Sequence, residues 1–384
     1  MLKSLKSKLS QLSVINLPVE LIRGKYLAHF GLHNPGNAGD TLLFLAVRKL
    51  FDNVNGSEHW KLEQLWDEIT DSTISRLNKR SKGIIIGGGG LLLRDTNKNQ
   101  KSGWQWSCSI DQLRQIQVPI VVFAIGYNRF RNQEDFDPIF QEHIQETVSR
   151  SLFFGLRNHG SIRALTPYLE DSLISKLQFQ PCPTTILSYL YPEKVSKLLE
   201  QGKQELTLNM SFDRRQLRFG LDEDKILTSI ARAMKWANQK GWKINLTIHC
   251  PGDDYIEPWL LKEQVVFRKI QLGGLPPQTV LDFYSKMPLT IGMRGHSQMI
   301  PFGMGNAIIS LISHDKLGFF LEDINHPEWG IDIHSKNMED ELIEKIQFID
   351  THRLLVKEQI EESKAMLWNQ TLVNLKLINI GLKN

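Results

Sequence analysis

One stretch of the sequence combines three side chains that could bind an anionic ligand and move a proton on it. The stretch runs from Thr290 to Lys316, with Arg294 and His296 on either side of a single glycine. Arginine and lysine can hold a phosphate or a carboxylate, and an imidazole can donate or accept a proton near neutral pH. The spacing therefore predicts an anion site with a general acid/base beside it.

Two short apolar runs should position these polar turns. Residues 288–291 and 307–312 are typical of buried strands, and a helical pattern that begins at His296 separates them. Because ligands bind at the carboxyl ends of the strands in open α/β sheets, both turns should face a ligand crevice. The helix also offers free backbone N–H groups and the positive end of its dipole. Taken alone, a histidine at this position could equally be a cap or a packed side chain.

Two charged residues in the first half of the chain also follow predicted strands. Asp40 lies in the glycine-broken loop HNPGNAGD after a strand at residues 25–31. There it either caps the next helix, a position that Thr41 could also take, or belongs to the site. Arg157 ends a strand at residues 152–155, where it either lines the crevice or braces the sheet. The loop matches neither GxGxxG nor the phosphate-loop lysine pattern, so it indicates no nucleotide motif.

A glycine cluster and a tryptophan pair leave two explanations open each. The four glycines at 87–90 follow a buried strand and are expected to form a turn. Either the backbone packs tightly there, which is the favoured explanation, or a ligand approaches it. Trp104 and Trp106 lie in a polar segment, 96–107, that reads as a mobile loop. They could stack on a sugar ring or pack into the domain.

Strands and helices alternate along the chain, and the alternation starts a second time after a connector. This pattern predicts an α/β protein with two Rossmann-like domains that face each other across a cleft, the arrangement of the glycosyltransferase-B fold. The predicted parts are a first domain at 1–187, a linker at 188–204, a donor-binding domain at 205–335 and C-terminal helices at 336–384 that cross back to brace the domains.

Composition excludes several classes of protein. The 384 residues are 41% hydrophobic and 23% charged, which is ordinary for a globular chain. A net charge of +4 suits anionic small molecules or an anionic membrane face but is too small to indicate nucleic acid. Cys108, Cys182 and Cys250 are odd in number and lack metal-ligand spacing. We therefore expect reduced thiols in a cytoplasmic protein without a metal site.

The first 17 residues have an amphipathic helical pattern. Leu2, Leu5 and Leu9 recur at helical spacing, and lysines occupy the opposite side. Such a helix could lie on an anionic surface, here the cytoplasmic face of the inner membrane, or dock on its own domain. No apolar run reaches the roughly 18 residues that a spanning helix needs.

Four motifs together resemble the polysaccharide pyruvyl transferase family. In chain order they are NPGNAGD, IIIGGGGLLL, LRNHGS and the pair MRGHS and PFGMGNAIISLISHDK. The resemblance covers Asn34 to Ile324. It implies a glycosyltransferase-B-like fold and the use of phosphoenolpyruvate to place a pyruvate ketal on a sugar. The implied acceptor is a cell-surface polysaccharide or a lipid-linked precursor of one.

The resemblance gives the candidate residues roles. Arg294 and Lys316 would bind the anionic groups of phosphoenolpyruvate, with Arg157 as the third cation across the cleft. His296 would be the general acid/base, and Asp40 would orient or deprotonate an acceptor hydroxyl. The scheme needs no metal and no cofactor besides the donor substrate. The predicted substrate-binding set also includes four residues inside the motifs: Asn37, Gly88, Gly89 and Ser297.

Two departures from the family pattern keep other functions open. The usual Arg-Leu-His turn contains Gly295 here, and the segment Pro183–Thr185 lacks the aspartate that commonly follows its proline. The main alternative is a glycosyltransferase with a nucleotide-sugar donor, since an arginine and a lysine can hold a diphosphate. A third candidate is a non-catalytic assembly protein that keeps the fold. Homo-oligomerisation is compatible with all three.

Overall fold

The computed structural model describes residues 25–94, 101–131, 133–195 and 199–383. Its strands form two six-stranded sheets in which every neighbouring pair is parallel. The prediction of two Rossmann-like α/β domains is therefore confirmed. The predicted N-terminal amphipathic helix lies outside the described residues. Among the described helices, none is both long and apolar enough to cross a membrane.

The first sheet has the strand order β2-β1-β3-β4-β5-β6. Its strands are β1 (Tyr26–Gly31), β2 (Trp60–Gln64), β3 (Ser81–Leu92), β4 (Ile120–Tyr127), β5 (Ser151–Leu156) and β6 (Leu177–Phe179). Its helices are α1 (Ala38–Asn55), α2 (Asp71–Arg80), α3 (Ile110–Gln115), α4 (Pro138–Arg150), α5 (His159–Leu165), α6 (Asp171–Ile174) and α7 (Leu187–Leu190). The order reverses between β1 and β3, so the ligand crevice of this sheet should lie where those strands end.

The second sheet has the order β12-β11-β10-β7-β8-β9. Its strands are β7 (Glu205–Asn209), β8 (Lys243–Ile248), β9 (Phe267–Gln271), β10 (Leu289–Gly292), β11 (Ala307–Ile312) and β12 (Gly330–Asp332). The helices of this half are α8 (Arg215–Phe219), α9 (Glu223–Gln239), α10 (Glu257–Lys262), α11 (Pro277–Tyr284), α12 (His296–Met304), α13 (Asp315–Asp323), α14 (Met338–Thr351) and α15 (Arg353–Lys383). This is the strand order of dinucleotide-binding domains, with the reversal between β7 and β10.

Burial on both faces explains why the central strands are so apolar. Ile84, Ile85 and Ile86 of β3 have no exposed surface, because helices cover the sheet on each side. The last helix crosses from the second domain to the first, as predicted. The side-chain amide of Asn374 in α15 donates to the carbonyl oxygen of Phe179 at 2.8 Å.

Two local predictions were wrong. The glycines at 87–90 do not form a turn, because they continue β3 to Leu92. A Cβ on Gly87 would come within 1.9 Å of the carbonyl oxygen of Phe123 in β4, so close packing between strands explains that glycine. The helix α1 is capped by neither Asp40 nor Thr41, because its N-cap is the side chain of Asn37.

The structure decides between the two explanations of the tryptophan pair. Both Trp104 and Trp106 are fully buried, so neither is available to stack on a sugar. The indole N–H of Trp104 donates to His143 on α4 at 2.9 Å, and the two indole rings meet edge to face. Residues 101–107, the described part of the expected mobile loop, are mostly buried, and the two rings pack into the first domain.

Candidate active site

The crevices of the two sheets meet at the start of α1 and α12. The backbone N–H of Ala38 donates to the carbonyl oxygen of His249 in the second domain at 3.3 Å. A Cβ on Gly39 would lie 2.5 Å from Nδ1 of His296, so the imidazole packs directly on the first turn of α1. The N-termini of an 18-residue and a nine-residue helix therefore meet at one point between the domains.

His296 lies half-buried at this point and is uncharged near neutral pH. Burial lowers its pKa to about 3, and the nearby charges of Arg157 and Lys316 act in the same direction. Its Nε2 lies 4.0 Å from the Sγ of Cys182, a buried thiol of the first domain. In the ligand-free protein the ring is therefore neutral and a weak base. A bound dianion would raise its pKa.

Arg157 is a buried cation that forms no ion pair with a carboxylate of the described residues, although Asp40 is close enough to raise its pKa. Its side chain is only 6% exposed and lies over Gly126, where a Cβ would come within 2.2 Å of Nε. Among the described residues, Nε and Nη2 of Arg157 have no hydrogen-bond partner. Burial lowers the pKa of this guanidinium, although arginine stays protonated in proteins. A buried charge costs on the order of several kcal/mol in lost hydration, and two free nitrogens make this guanidinium suited to binding an anion.

Lys316 is a second cation that has no carboxylate at ion-pair distance among the described residues, although the charge of Asp213 acts to raise its pKa. Its Nζ donates to Oδ1 of Asn128 at 3.0 Å, and it forms no ion pair within the described ranges. Two acidic residues near Lys316 in the sequence are engaged elsewhere, since Asp315 pairs with Arg131 and Glu322 pairs with Arg163. Burial, Arg218 and Arg157 together hold the pKa of Lys316 well below its usual value.

Arg294 differs from these two because carboxylates already hold it. Its Nε and Nη2 donate to Asp253 at 2.6–3.0 Å, and Nη1 lies 3.3 Å from Asp213. Burial alone would lower the pKa of Arg294, but the Asp253 carboxylate beside it has the larger effect, and the pKa lies above its usual value. The guanidinium fork that we assigned to the donor is thus directed at Asp253 in the ligand-free protein.

The pKa of Asp40 responds to three cations, which shows that they lie close to one another. It is half-buried, and Oδ2 accepts a hydrogen bond from the side chain of Asn37 at 2.8 Å. Burial raises the pKa of Asp40 to about 6, although Arg294, Lys316 and Arg157 all oppose that rise. The structure therefore brings four of the predicted charged residues, and His296, to one place.

The pKa of Asp40 gives a test that needs no substrate. The usual pKa is 3.8, so between about pH 4 and 6 the folded protein holds this proton while the unfolded chain has lost it. The free energy of unfolding should consequently fall as pH rises through that interval. Urea unfolding of Asp40→Asn should lack this contribution, and its stability relative to the wild type should grow from pH 4 to pH 6. Parallel curves for the two proteins would contradict the raised pKa.

Two helices begin at the crevice without a side-chain cap. Neither α12 nor α13 has a side chain that accepts a hydrogen bond from its first turn. Orphan N–H groups and a positive dipole end make such termini suitable for anions. His296 and Lys316 lie in the first turns of these helices, beside those N–H groups.

The other predicted binding residues have structural contacts. Asn37 caps α1 and holds Asp40. Gly88 and Gly89 are buried within β3, where a Cβ would meet Leu43 of α1. Ser297 is buried, and its hydroxyl donates to the carbonyl oxygen of Arg294 at 2.9 Å. These residues therefore support the elements around the crevice, and their role in substrate binding stays a prediction.

Sequence reasoning missed the partners that orient the cations. Asp213 and Asp253 hold Arg294, Asn128 holds Lys316, and Gly126 leaves space for Arg157. Asp213 and Asp253 follow β7 and β8, and Asn128 follows β4, so the strand-end rule that selected Arg157 could have found all three.

Comparison with known proteins identifies the family. The sequence model described as polysaccharide pyruvyl transferase matches residues 37–312, which include all the charged site residues except Lys316. The chain belongs to the polysaccharide pyruvyl transferase family. It is therefore an enzyme of pyruvyl transfer in polysaccharide biosynthesis, and the family expected from the four motifs is confirmed. A search of curated proteins gave no match.

Solved structures similar to this transferase share the fold. Sucrose-phosphate synthase from Thermosynechococcus elongatus has a TM-score of 0.57 at 13% identity, over 93% of this chain and 98% of that one. A glycosyltransferase from Rickettsia africae gives 0.55 at 12%, over 94% and 99%. UDP-GlcNAc 2-epimerase from Neisseria meningitidis, bound to UDP-GlcNAc, gives 0.54 at 11%, over 94% and 100%. At such identities the likeness concerns the fold alone, which is the glycosyltransferase-B-like arrangement expected from the sequence.

Proposed function

We propose that this transferase moves the pyruvyl group of phosphoenolpyruvate onto two hydroxyls of one sugar, forming a pyruvate ketal. The acceptor is a cell-surface polysaccharide or its lipid-linked precursor. The observation that carries the donor assignment is the buried guanidinium of Arg157, whose Nε and Nη2 have no hydrogen-bond partner among the described residues. Beside it lies Lys316, which donates to Asn128 and forms no ion pair within the described ranges.

The charge of the crevice suits a small, densely charged donor. Phosphoenolpyruvate carries a carboxylate and a phosphate a few bonds apart, and both need cations or N–H groups. Arg157, Lys316 and the uncapped starts of α12 and α13 provide these within one crevice. Arg294 contributes to the field, while Asp253 fixes its orientation.

The reaction removes one proton from each of the two sugar hydroxyls, and both protons must be placed in the products. One sugar hydroxyl attacks the enol carbon, and the methylene carbon gains a proton and becomes a methyl group. The second hydroxyl of the same sugar then forms the other C–O bond as the C–O bond to phosphate breaks. The protons of the two hydroxyls are thus accounted for by the new methyl C–H bond and by the departing hydrogen phosphate.

His296 and Asp40 are the groups that can move these protons. His296 is uncharged in the free enzyme, and the bound phosphate would raise its pKa until the ring can protonate the methylene carbon. Asp40, whose pKa lies near 6, would accept the proton of the attacking hydroxyl. Asn37 positions this carboxylate through its side-chain N–H.

Ligand-dependent melting separates this donor from the nucleotide-sugar alternative. Phosphoenolpyruvate at 100 times its dissociation constant should stabilise the purified enzyme by about 2.7 kcal/mol and raise its melting temperature. UDP at the same concentration should have little effect, although the epimerase of similar fold is bound to UDP-GlcNAc. Stabilisation by UDP and not by phosphoenolpyruvate would overturn the proposal in favour of a glycosyltransferase. An equal concentration of sulfate controls for unspecific anion binding.

A further inference from the structure

A cavity of about 620 Å³ opens between the two domains next to the anion crevice. The first domain contributes residues from the segment after β4, from α4 and from the end of α5, and the second domain contributes the start of α13. The volume is in the range of pockets that hold small ligands. Its lining residues include Tyr127, Arg131, Asp135, Ala164, Tyr168 and Phe319.

Three partly exposed aromatic rings line this cavity. Tyr127 and Tyr168 face each other, with their hydroxyl oxygens 3.3 Å apart. Tyr168 is held edge to face against Phe140, which keeps its ring rigid. Phe319 packs on Gly160 of the first domain, where a Cβ would come within 2.0 Å of the ring. Rigid aromatic faces with polar edges are suited to the apolar face and the hydroxyls of a sugar ring.

The charged groups around the cavity already have hydrogen-bond partners. Arg131 pairs with Asp315, and Asp135 accepts a hydrogen bond from the hydroxyl of Tyr168. Arg129 donates its guanidinium N–H groups to the carbonyl oxygens of residues 133 and 134. The cavity thus differs from the neighbouring crevice, where Nε and Nη2 of Arg157 have no hydrogen-bond partner among the described residues. An uncharged, hydroxyl-rich ligand fits it better than an anion.

A short hydrogen-bonded chain connects the cavity to the crevice. His314 lines the cavity, and its Nε2 lies 2.9 Å from Oδ1 of Asn128. The same oxygen accepts the hydrogen bond of Lys316, at 3.0 Å. Because lysine only donates, this atom of Asn128 is the acceptor, and His314 must carry its proton on Nε2. A ligand in the cavity would therefore lie one side-chain layer from a donor bound at Lys316.

We propose that this cavity binds an uncharged hexopyranose unit of the acceptor saccharide. The assignment rests on the proposed function, in which a donor at Lys316 and Arg157 needs an adjacent sugar. A second cavity of about 620 Å³ is also rich in aromatic residues, with Trp236, Trp242 and Phe348 in its lining. It lies between α9 and α14 on the second domain alone, away from the crevice, and provides a matched control.

The test fills each cavity in turn in the full-length enzyme. Ala164→Trp places an indole in the proposed cavity, and Gln347→Trp does the same at the control cavity. Saturation-transfer NMR with methyl glycosides of glucose, galactose and mannose measures saccharide binding, calorimetry measures phosphoenolpyruvate binding, and thermal melting confirms that each variant is folded. A third variant, Tyr127→Phe, removes only a cavity-lining hydroxyl.

We expect Ala164→Trp to weaken saccharide binding at least about ten-fold, because the indole occupies the space of the ring, and to leave phosphoenolpyruvate affinity unchanged. Tyr127→Phe should weaken saccharide binding to a smaller degree, and Gln347→Trp should not change it. Saccharide binding that survives Ala164→Trp, that is lost in Gln347→Trp, or that is absent from the wild type would each overturn the inference. Failure of phosphoenolpyruvate to bind would instead overturn the proposed function. The saccharide measurement would still show whether the cavity binds a sugar, because it does not depend on the donor.

Discussion

Arg157→Met is expected to remove donor binding and to leave the protein at least as stable as the wild type. Methionine has a similar length without the charge, so it should fill the space over Gly126. The bound donor would lose its contact with a buried guanidinium, which we expect to weaken phosphoenolpyruvate binding roughly 100-fold, or about 3 kcal/mol. The folded protein would at the same time lose a buried charge whose Nε and Nη2 have no hydrogen-bond partner among the described residues.

Arg218→Met is the matched control for that prediction. Arg218 is 2% exposed and thus equally buried, but its guanidinium donates to Asp213 and to Ser313. Removing one partner of a buried ion pair commonly costs about 3–5 kcal/mol, so this variant should melt well below the wild type. Calorimetric titration with phosphoenolpyruvate and thermal melting of both variants give the comparison. If Arg157→Met also loses several kcal/mol of stability, Arg157 braces the sheet and is not kept for a ligand.

Most of the fold was predictable from the apolar runs that alternate with helical patterns, because few architectures other than a parallel α/β sheet are compatible with that alternation. The runs at 84–86 and 307–312 are buried strands, as expected. The errors occurred where side chains give little information. Four consecutive glycines are typical of turns, and only the carbonyl oxygen of Phe123 on the next strand explains why β3 continues through them.

The sequence predicted where the cations of the site lie, but not which of them is paired with a carboxylate. The strand-end rule placed Arg157, Arg294 and Lys316 at one crevice, and their common effect on the pKa of Asp40 agrees with that placement. Which cation is free depends on tertiary contacts between residues far apart in sequence. Asp253 neutralises Arg294 from a different strand end, 41 residues away along the chain. We therefore propose Arg157 and Lys316 as the main cations that bind the donor, and no longer Arg294, which we placed first from the sequence.

His296→Ala is expected to reduce transfer by roughly 10²–10⁴-fold, the usual contribution of a positioned acid/base group, while the protein stays folded. The imidazole is half-buried, and its one side-chain contact at hydrogen-bond range among the described residues is the 4.0 Å approach to the Sγ of Cys182, so its loss should change the melting temperature little. His296→Asn and His296→Gln distinguish proton transfer from simple hydrogen bonding, since each amide can copy one ring N–H but cannot take up a proton. Substantial turnover in either amide variant would rule out a proton-transfer role.

The position of the imidazole can be tested without removing it. Gly39→Ala adds one methyl group, which would lie 2.5 Å from Nδ1 of His296 and must displace the ring. We expect this variant to lose turnover nearly as completely as His296→Ala, although it keeps every ionisable group of the site. Gly318→Ala adds the same methyl group in α13, where it meets open space, and should retain wild-type turnover. Steady-state rates of phosphate release measure all three variants. If Gly39→Ala proved fully active, the close contact between α1 and α12 could not be what positions His296 for the reaction.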